Sequence, residues 1–260
     1  MALWNGFKIA FSMYSKIPMP ASEWSKENMK YALGFLPLVG VVIGAIVCLA
    51  AWGFDLLGIE DGQLFRVCVL TVIPVLVSGG IHLDGFLDVS DALSSWQEKE
   101  RRLEILKDSH AGAFAVISGI SYFVLYLGAA GEVTEACLPV ICLAFSVSRT
   151  FSALSVENFP NANPKGTAAA FGKNSLKRKV NAALAVYLIL LTGGGVLLDP
   201  LLGVLLMAAA ALCFAFYHHM AMKYFGGITG DLAGFYVCVS ELAMILTVVI
   251  GNKIAGMITG

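Results

Sequence analysis

The sequence predicts an all-α protein, a polytopic integral membrane helical bundle with about seven transmembrane helices and an N-terminal interfacial helix. The 260-residue chain is 58% hydrophobic and only 13% charged. Its mean hydropathy of +0.80 is far above that of an ordinary soluble domain. Charge-poor runs of roughly 20 residues, enough to cross a hydrocarbon core of about 30 Å, recur along the chain. No soluble stretch is long enough to fold separately, so residues 1–260 are expected to form a single domain.

Seven apolar runs are the predicted spans, and the segment before them is different. The runs are approximately 31–54, 64–81, 112–130, 136–156, 180–198, 200–222 and 232–251. Lys8 and Lys16 interrupt the apolar pattern of the opening segment, and Pro18 and Pro20 end it. These features favour an interfacial helix over a span. The segment also lacks the uninterrupted apolar core and small-residue cleavage site of a signal peptide.

The distribution of lysine and arginine predicts the orientation, because these residues in short loops are biased to the cytoplasmic side. Of the 17 basic residues, only Arg66, Arg149 and Lys253 fall away from the inner side if the N-terminus is cytoplasmic. The others are Lys8, Lys16, Lys26, Lys30, Lys99, Arg101, Arg102, Lys107, Lys165, Lys173, Lys177, Arg178, Lys179 and Lys223. We therefore expect a multi-pass protein of the cell (inner) membrane, with its N-terminus in the cytoplasm and its C-terminus outside.

Three carboxylates directly follow an apolar run in GGIHLDGFLDVSDAL, residues 79–93. Asp84, Asp88 and Asp91 are spaced i, i+4 and i+7, which puts them on one helical face. Like charges one turn apart repel, and their oxygens suit magnesium or manganese completed by substrate phosphates. The alternative is a solvated acidic helix end at the membrane surface. The surrounding glycines favour a site, since glycine lets a ligand approach the backbone, and Gly85 is a candidate substrate contact.

A fourth carboxylate, Asp108, follows in the next loop and is expected at the same membrane face. We expect a short amphipathic helix before it, on which Arg102 and Lys107 could face anionic groups. Taken alone, these cations are more typical of signals for membrane orientation. In the sequence DSHAG, Ser109 is a candidate helix cap, and the alternative for Asp108 is that it is itself a capping residue.

Three more polar residues are predicted to belong to the site. Arg149 lies inside an apolar helix, where an arginine is costly and usually marks a pathway, a partner carboxylate or an anionic ligand. We favour a role in the site over a purely structural ion pair. Asp231 follows glycines at the inner end of the last span, with Glu241 about 15 Å deeper. His82 is a candidate base, although a lone histidine at a helix end is more often only hydrogen-bonded. Carboxylates and cations from four helices, converging in one inner-facing cavity, indicate metal-dependent phosphoryl transfer.

Cysteine usage and charge limit the other possibilities. The six cysteines lie in or at the edges of apolar runs without CxxC spacing, so we interpret them as packing residues. The net charge is −1, and we expect membrane lipid but no nucleic acid as a partner. A homo-oligomer is one possible assembly.

Four motifs, together with Glu241 beyond the last of them, carry a family resemblance. They are FSMYSKIPMP at 11–20, GGIHLDGFLDVSDAL at 79–93, RRLEILKDSHAG at 101–112 and GGITGDLAG at 226–234. With these motifs in this order, the whole chain resembles the cobalamin synthase family, the adenosylcobinamide-GDP ribazoletransferases. The family usually has a Thr-Arg pair where this chain has Ser15 and Lys16. The lysine keeps the charge but not a bidentate arginine contact.

The resemblance implies a magnesium-dependent reaction. The ribose hydroxyl of α-ribazole, or of its 5′-phosphate, attacks the phosphate attached to the cobinamide arm of adenosylcobinamide-GDP, and GMP leaves. The expected metal ligands are Asp84, Asp88, Asp91 and Asp108. The expected catalytic residues are Asp88, Asp91, His82 and Arg149. The expected substrate-binding residues are Lys16, Gly85, Arg102, Lys107 and Asp231.

Two other classes of membrane protein share part of this pattern. A CDP-alcohol phosphotransferase also has an Asp-Gly motif at a helix end, but here Leu87-Asp88 replaces the Ala-Arg that should follow. A cation or proton-coupled transporter would need acids near the bilayer midplane and internal symmetry. This chain has Glu241 and Arg149 at depth, but most acids lie at one face and no repeat is evident.

Overall fold

The computed structural model describes residues 1–108 and 110–259, and within these ranges the chain forms twelve α-helices and no β-strand. The all-α prediction is therefore confirmed. The helices are α1 (Ala2–Tyr14), α2 (Lys26–Met29), α3 (Ala32–Leu56), α4 (Leu64–Ser78), α5 (Ile81–Ser94), α6 (Lys99–Ile105), α7 (Ala113–Ala130), α8 (Leu138–Asn158), α9 (Thr167–Asn174), α10 (Lys177–Leu198), α11 (Pro200–Phe225) and α12 (Gly230–Thr259).

Six of these helices are long and apolar enough to cross a membrane: α3, α7, α8, α10, α11 and α12. Helices α4 and α5 form a bent pair that raises the number of crossings to seven if the pair counts as one span. This agrees with the prediction of about seven spans in a multi-pass membrane protein. The opening segment is helical as predicted, but α1 has only 13 residues and packs its Ile9, Ala10 and Phe11 inside the protein.

Contacts between connecting segments show that the crossings alternate in direction. At one end of the bundle, the backbone N–H of Glu135 donates to Asp61 at 2.9 Å, and Asn252 donates to Thr134 at 3.3 Å. The α3–α4 connection, the α7–α8 connection and the late part of α12 therefore lie together. This end carries acidic loops, as the charge distribution predicts.

The opposite end of the bundle collects the segments 15–31, 79–108, 110–112, 159–176 and 226–229, and we call it the aspartate face. Lys16 N–H donates to the carbonyl of Val77 at 2.8 Å, which ties the end of α1 to the end of α4. Ala162 N–H donates to the carbonyl of Ile228 at 2.8 Å, which ties the α8–α9 loop to the start of α12. Segments far apart in the sequence are thereby fixed around α5.

The second predicted span, 64–81, does not continue straight into the acidic segment. Helix α4 ends at Ser78 and α5 begins at Ile81, and the two helices are bent by 92°. Gly79 and Gly80 between them have φ angles of 68° and 77°, which residues with a Cβ rarely adopt. The three aspartates therefore lie on a separate helix, rather than at the end of the span itself.

Glycines also let α5 pack directly against the start of α12. A Cβ on Gly85 would meet the backbone oxygen of Asp231 at 2.6 Å, and a Cβ on Gly234 would meet the backbone of His82 at 3.1 Å. Small residues of this kind let two helix backbones approach closely in a membrane protein. This contact fixes the acidic helix against the first turn of the last span.

The segment 157–180, between the fourth and fifth predicted spans, contains a helix that the sequence analysis did not anticipate. Helix α9 spans Thr167–Asn174 and buries Ala168, Ala169 and Phe171. The polar, Gly/Pro-punctuated flanks suggest a loop, yet the short apolar run within them is sufficient for one amphipathic helix packed on α8. This helix brings Thr167 and Ala168 to the aspartate face.

Candidate functional site

Asp84 lies where two cavities meet on the aspartate face. It is exposed in the first turn of α5. The first cavity, which we call the acidic cleft, contains His82, Asp84 and Asp231 in its wall and has a volume of about 670 Å³ including its open mouth. The second, which we call the lysine cavity, is lined by Lys16, Gly79, Gly80 and Asp84, among others, and has a volume of about 740 Å³ on the same measure.

Asp84, Asp88 and Asp231 bring negative charge to one small region. The charges of Asp84 and Asp231 act on Asp88, and that of Asp84 acts on Asp231. Among the described residues, neither Asp84 nor Asp88 has a hydrogen-bond partner for its carboxylate. Unpaired carboxylates this close together repel one another and are stabilised by a cation.

The available carboxylates fit an open magnesium site, completed by water and substrate, better than a site in which the protein supplies every metal ligand. Across residues 1–108 and 110–259, no three His, Cys, Asp or Glu side chains are arranged to hold a metal ion by themselves. Magnesium is commonly held by one or two carboxylates, with water and substrate phosphates completing its octahedron. The unpaired oxygens of Asp84 and Asp88 meet this smaller requirement.

Asp91 has a different position from the other two aspartates of α5. Its oxygens accept hydrogen bonds from the backbone N–H groups of Gly112, at 2.6 Å, and Ala115, at 3.1 Å. These donors belong to the start of α7, where backbone N–H groups lack partners within the helix and favour a negative charge. We therefore assign Asp91 to stabilising α7, in place of the predicted metal or base role.

We expect Asp91→Ala to destabilise the protein with little change in its ligand affinities. Loss of a capping carboxylate costs about 0.5–2 kcal/mol, so the thermal unfolding midpoint in detergent should fall. Asp88→Ala is the matched control on the same helix, and it should leave the midpoint unchanged or raise it, since it removes like-charge repulsion. An unchanged midpoint for Asp91→Ala would contradict the assignment to α7.

Asp108 lies apart from the acidic cleft. It is exposed, and its carboxylate contacts Nδ1 of His110 at 2.8 Å and accepts the backbone N–H of His110 at 3.0 Å. These hydrogen bonds hold the pKa of Asp108 below its usual range. Ser109, the predicted helix cap, lies outside the described residues, and Gly112 occupies the cap position of α7. The carboxylate is thus not among the walls of the two cavities around Asp84.

The three cations predicted to bind substrate have different surroundings. Lys16 lines the lysine cavity with Asp84, and its side chain crosses Gly79 where a Cβ would collide with it. Lys107 lines a smaller cavity together with Asp231. Arg102 is buried, with its guanidinium 4.8 Å from the ring centre of Tyr224. Two lysines therefore flank the carboxylates, whereas Arg102 is held in a cation–π contact.

His82 forms part of the wall between the acidic cleft and a second, deeper cavity. It is buried, its ring stacks on Tyr14 with centroids 6.0 Å apart, and its Nε2 has no hydrogen-bond partner. The deeper cavity is lined by His82, Arg149 and Glu241, among others. A buried nitrogen without a partner is costly unless it meets water or a ligand.

Arg149 is held in a buried ion pair, which corrects the preference for a role in the site. Its Nη1 lies 2.6 Å from Oε1 of Glu241, and Ser148 donates to the same oxygen at 2.8 Å. Arg149 is only 1% exposed, and it lines the deeper cavity of His82 rather than the acidic cleft or the lysine cavity. Because its charge is already balanced inside the bundle, Arg149 is not a free cation for a phosphate.

Asp231 and Gly85 meet where α12 begins. Asp231 lines the acidic cleft and also the cavity of Lys107, and its carboxylate accepts a hydrogen bond from Thr229 at 3.3 Å. The space above Gly85 is filled by the Asp231 backbone. Asp231 is thus placed to contact a ligand, whereas the close approach predicted at Gly85 is made by a neighbouring helix.

Several residues of the acidic cleft were missed by the sequence analysis. Tyr14 comes from α1, Ser152 and Val156 from α8, and Thr167 and Ala168 from α9. They are ordinary residues of apolar or small-residue runs, and no spacing rule marks them. The motif FSMYSKIPMP was the only signal that the end of α1 belongs to the site.

The fold and the site together define a class of protein. Carboxylates flanked by lysines, at one face of a polytopic membrane bundle, are typical of membrane enzymes that act on phosphate-bearing substrates. The chain belongs to the cobalamin-5-phosphate synthase family (CobS), whose model matches residues 6–249.

Curated relatives cover nearly the whole chain. It is 45% identical to an adenosylcobinamide-GDP ribazoletransferase of Lachnoclostridium phytofermentans, over 96% of this chain and 95% of the relative. It is 32% identical to the protein of that name from Clostridium botulinum strain Alaska E43, over 92% and 95%. A third, from Geobacillus kaustophilus, is 31% identical over 89% and 90%. No solved structure matches the chain.

Proposed function

We propose that this protein is a membrane-bound adenosylcobinamide-GDP ribazoletransferase. The ribose hydroxyl of α-ribazole, or of its 5′-phosphate, attacks the phosphate attached to the cobinamide arm. A new phosphate–oxygen bond forms, the bond to the GMP phosphate breaks, and GMP leaves with the bridging oxygen. The observation that carries the proposal is that the family motif at 79–93 forms α5, which presents Asp84 at the junction of two cavities.

Asp84 and Asp88 are the residues that would hold magnesium. Their carboxylates have no competing hydrogen bonds among the described residues, and the repulsion between them is relieved by a cation. When bound, magnesium would neutralise charge on the diphosphate and on the leaving phosphate. Asp231, which also lines the acidic cleft, is available to contact the substrate.

The chain's own cations and His82 supply the remaining chemistry. Lys16 and Lys107 lie on two sides of the carboxylates and bind the anionic groups of adenosylcobinamide-GDP. His82 lies in the wall of the acidic cleft with its Nε2 unpaired. As a neutral imidazole, His82 would take the proton of the attacking hydroxyl.

The aspartate face is proposed to lie in the cytoplasm, where nucleotide substrates are found. The support is the positive-inside rule, since the segments of this face carry most of the lysines and arginines. The opposite end, with Asp61 and Glu135 in its loops, would then face away from the cytoplasm. The proposed membrane is the cell (inner) membrane.

The proposal is tested by the release of GMP from purified protein in detergent. We expect GMP only when adenosylcobinamide-GDP and α-ribazole are both present, and we expect EDTA to abolish its release until magnesium is restored. An enzyme needs no sealed compartment, so activity in detergent separates this function from transport. Failure of the wild-type protein to release GMP under these conditions would overturn the proposal.

Lys16→Met is expected to weaken binding of the donor substrate selectively. A hydrogen bond to a charged group contributes about 1.5–3 kcal/mol, so the KM for adenosylcobinamide-GDP should rise by roughly tenfold or more. The KM for α-ribazole should stay near its wild-type value. Lys26→Met, an exposed lysine elsewhere on the aspartate face, is the control. An equal rise in both KM values would count against a donor-specific role for Lys16.

A further inference from the structure

We propose that the acidic cleft is the subsite for the flat aromatic base of the acceptor nucleoside, a benzimidazole-type heterocycle. This inference rests on the proposed function, because it assigns one of the two substrates to one of the two cavities that meet at Asp84. The lysine cavity then receives the phosphate-bearing donor.

The interior wall of the acidic cleft is largely apolar. Met13 and Leu36 line it from α1 and α3, and Val156 and Ala168 line it from α8 and α9. Tyr14 adds an aromatic ring, which stacks on the imidazole of His82 with an angle of 13° between the ring planes. Apolar walls with one aromatic surface suit a flat heterocycle with few polar atoms.

The polar groups of the cleft distinguish a benzimidazole from guanine, the other aromatic base in the reaction. The hydroxyl of Ser152 already donates to the backbone oxygen of Ala233 at 3.3 Å, and Thr167 brings another hydroxyl to the cleft wall. Once attached to ribose, a benzimidazole has a single free ring nitrogen, which one donor can satisfy. Guanine carries a whole edge of donors and acceptors, and burying that edge without partners is costly.

The position of the cleft suits the acceptor as well. The acidic cleft and the lysine cavity share Met13, Ile81 and Asp84 in their walls. An acceptor whose base lies in the cleft therefore has its ribose near the carboxylates at the mouth. A donor phosphate beside Lys16 approaches the same carboxylates from the other cavity, so the two reacting groups meet at Asp84.

The test narrows the apolar wall and compares two acceptors of different width. Ala168→Leu should lower kcat/KM for the riboside of 5,6-dimethylbenzimidazole more than for that of unsubstituted benzimidazole. One methylene in a hydrophobic pocket changes discrimination by about 10–200-fold, so the ratio of the two values should shift at least tenfold. The KM for adenosylcobinamide-GDP should stay close to wild type. Ala170→Leu, on the same helix but outside the cleft wall, is the matched control.

Val156→Ala provides the opposite change and guards against misfolding of the narrowed variant. It removes two methyl groups from the same wall and so enlarges the cleft. We therefore expect kcat/KM for a riboside with a bulkier base, such as naphthimidazole, to rise relative to that for the benzimidazole riboside. Unchanged acceptor ratios in both variants, or a rise in the donor KM instead, would overturn the subsite assignment and leave the proposed function standing. Absence of GMP release from the wild-type protein with every acceptor would overturn both.

Discussion

Asp84→Asn should abolish GMP release almost completely while leaving the protein folded. The carboxylate is exposed, has no hydrogen bond within the described residues and borders both cavities. Its removal therefore costs the packed interior nothing, but it takes away charge where the metal and the diphosphate are proposed to meet. Removing one electrostatic group of this kind from a catalytic site lowers kcat by about 10²–10³-fold. Turnover in detergent measures the loss of GMP release, and thermal unfolding measured in parallel shows whether the variant is folded.

Asp108→Asn is the control for this result. It removes a carboxylate from the same face, but one that contacts His110 rather than the cavities. We expect turnover near that of the wild type and an unchanged dependence on magnesium concentration. A large loss of turnover in Asp108→Asn, with Asp84→Asn active, would show that the metal lies at the α6–α7 connection instead.

Arg149→Leu should destabilise the protein strongly. It leaves Glu241 charged and buried inside the bundle, with Ser148 as its remaining hydrogen-bond donor. Breaking a buried ion pair by removing one partner costs about 3–5 kcal/mol. The thermal unfolding midpoint in detergent should fall by many degrees, and the yield of folded protein should fall with it.

The double variant Arg149→Leu with Glu241→Leu tests the cause of that loss. If the cost comes from an uncompensated charge, the double variant should be more stable than Arg149→Leu alone, because no charge is left buried. If Arg149 instead served the reaction directly, the single variant would keep its wild-type unfolding midpoint and lose only turnover.

The membrane fold was largely predictable from the sequence, because its signals are strong and local. Twenty apolar residues in succession have few structural alternatives to a transmembrane helix. The bend between α4 and α5 was not predictable in the same way. Gly79 and Gly80 were noted only for permitting a close approach, whereas in the structure they adopt left-handed φ angles. A glycine pair permits a turn but does not require one, and packing of α5 against α12 decides the outcome.

The site was predictable in its residue types but not in their partners. The i, i+4, i+7 spacing places Asp84, Asp88 and Asp91 along one side of a helix, yet it does not say which neighbours that side meets. Asp91 reaches the start of α7, while Asp84 opens to the cavities. Arg149 shows the same limit, since its pairing with Glu241 depends on the relative depth and rotation of α8 and α12.

The packing of α5 against the first turn of α12 also has a consequence for how the protein is made. Helix α5 is synthesised well before α12, but Asp231 and the glycine contact that holds α5 belong to α12. Roughly half of the chain is synthesised between the two. The acidic cleft is therefore completed only after α12 has been synthesised, and a ribosome that stops before α12 leaves three aspartates on a helix without its main partner.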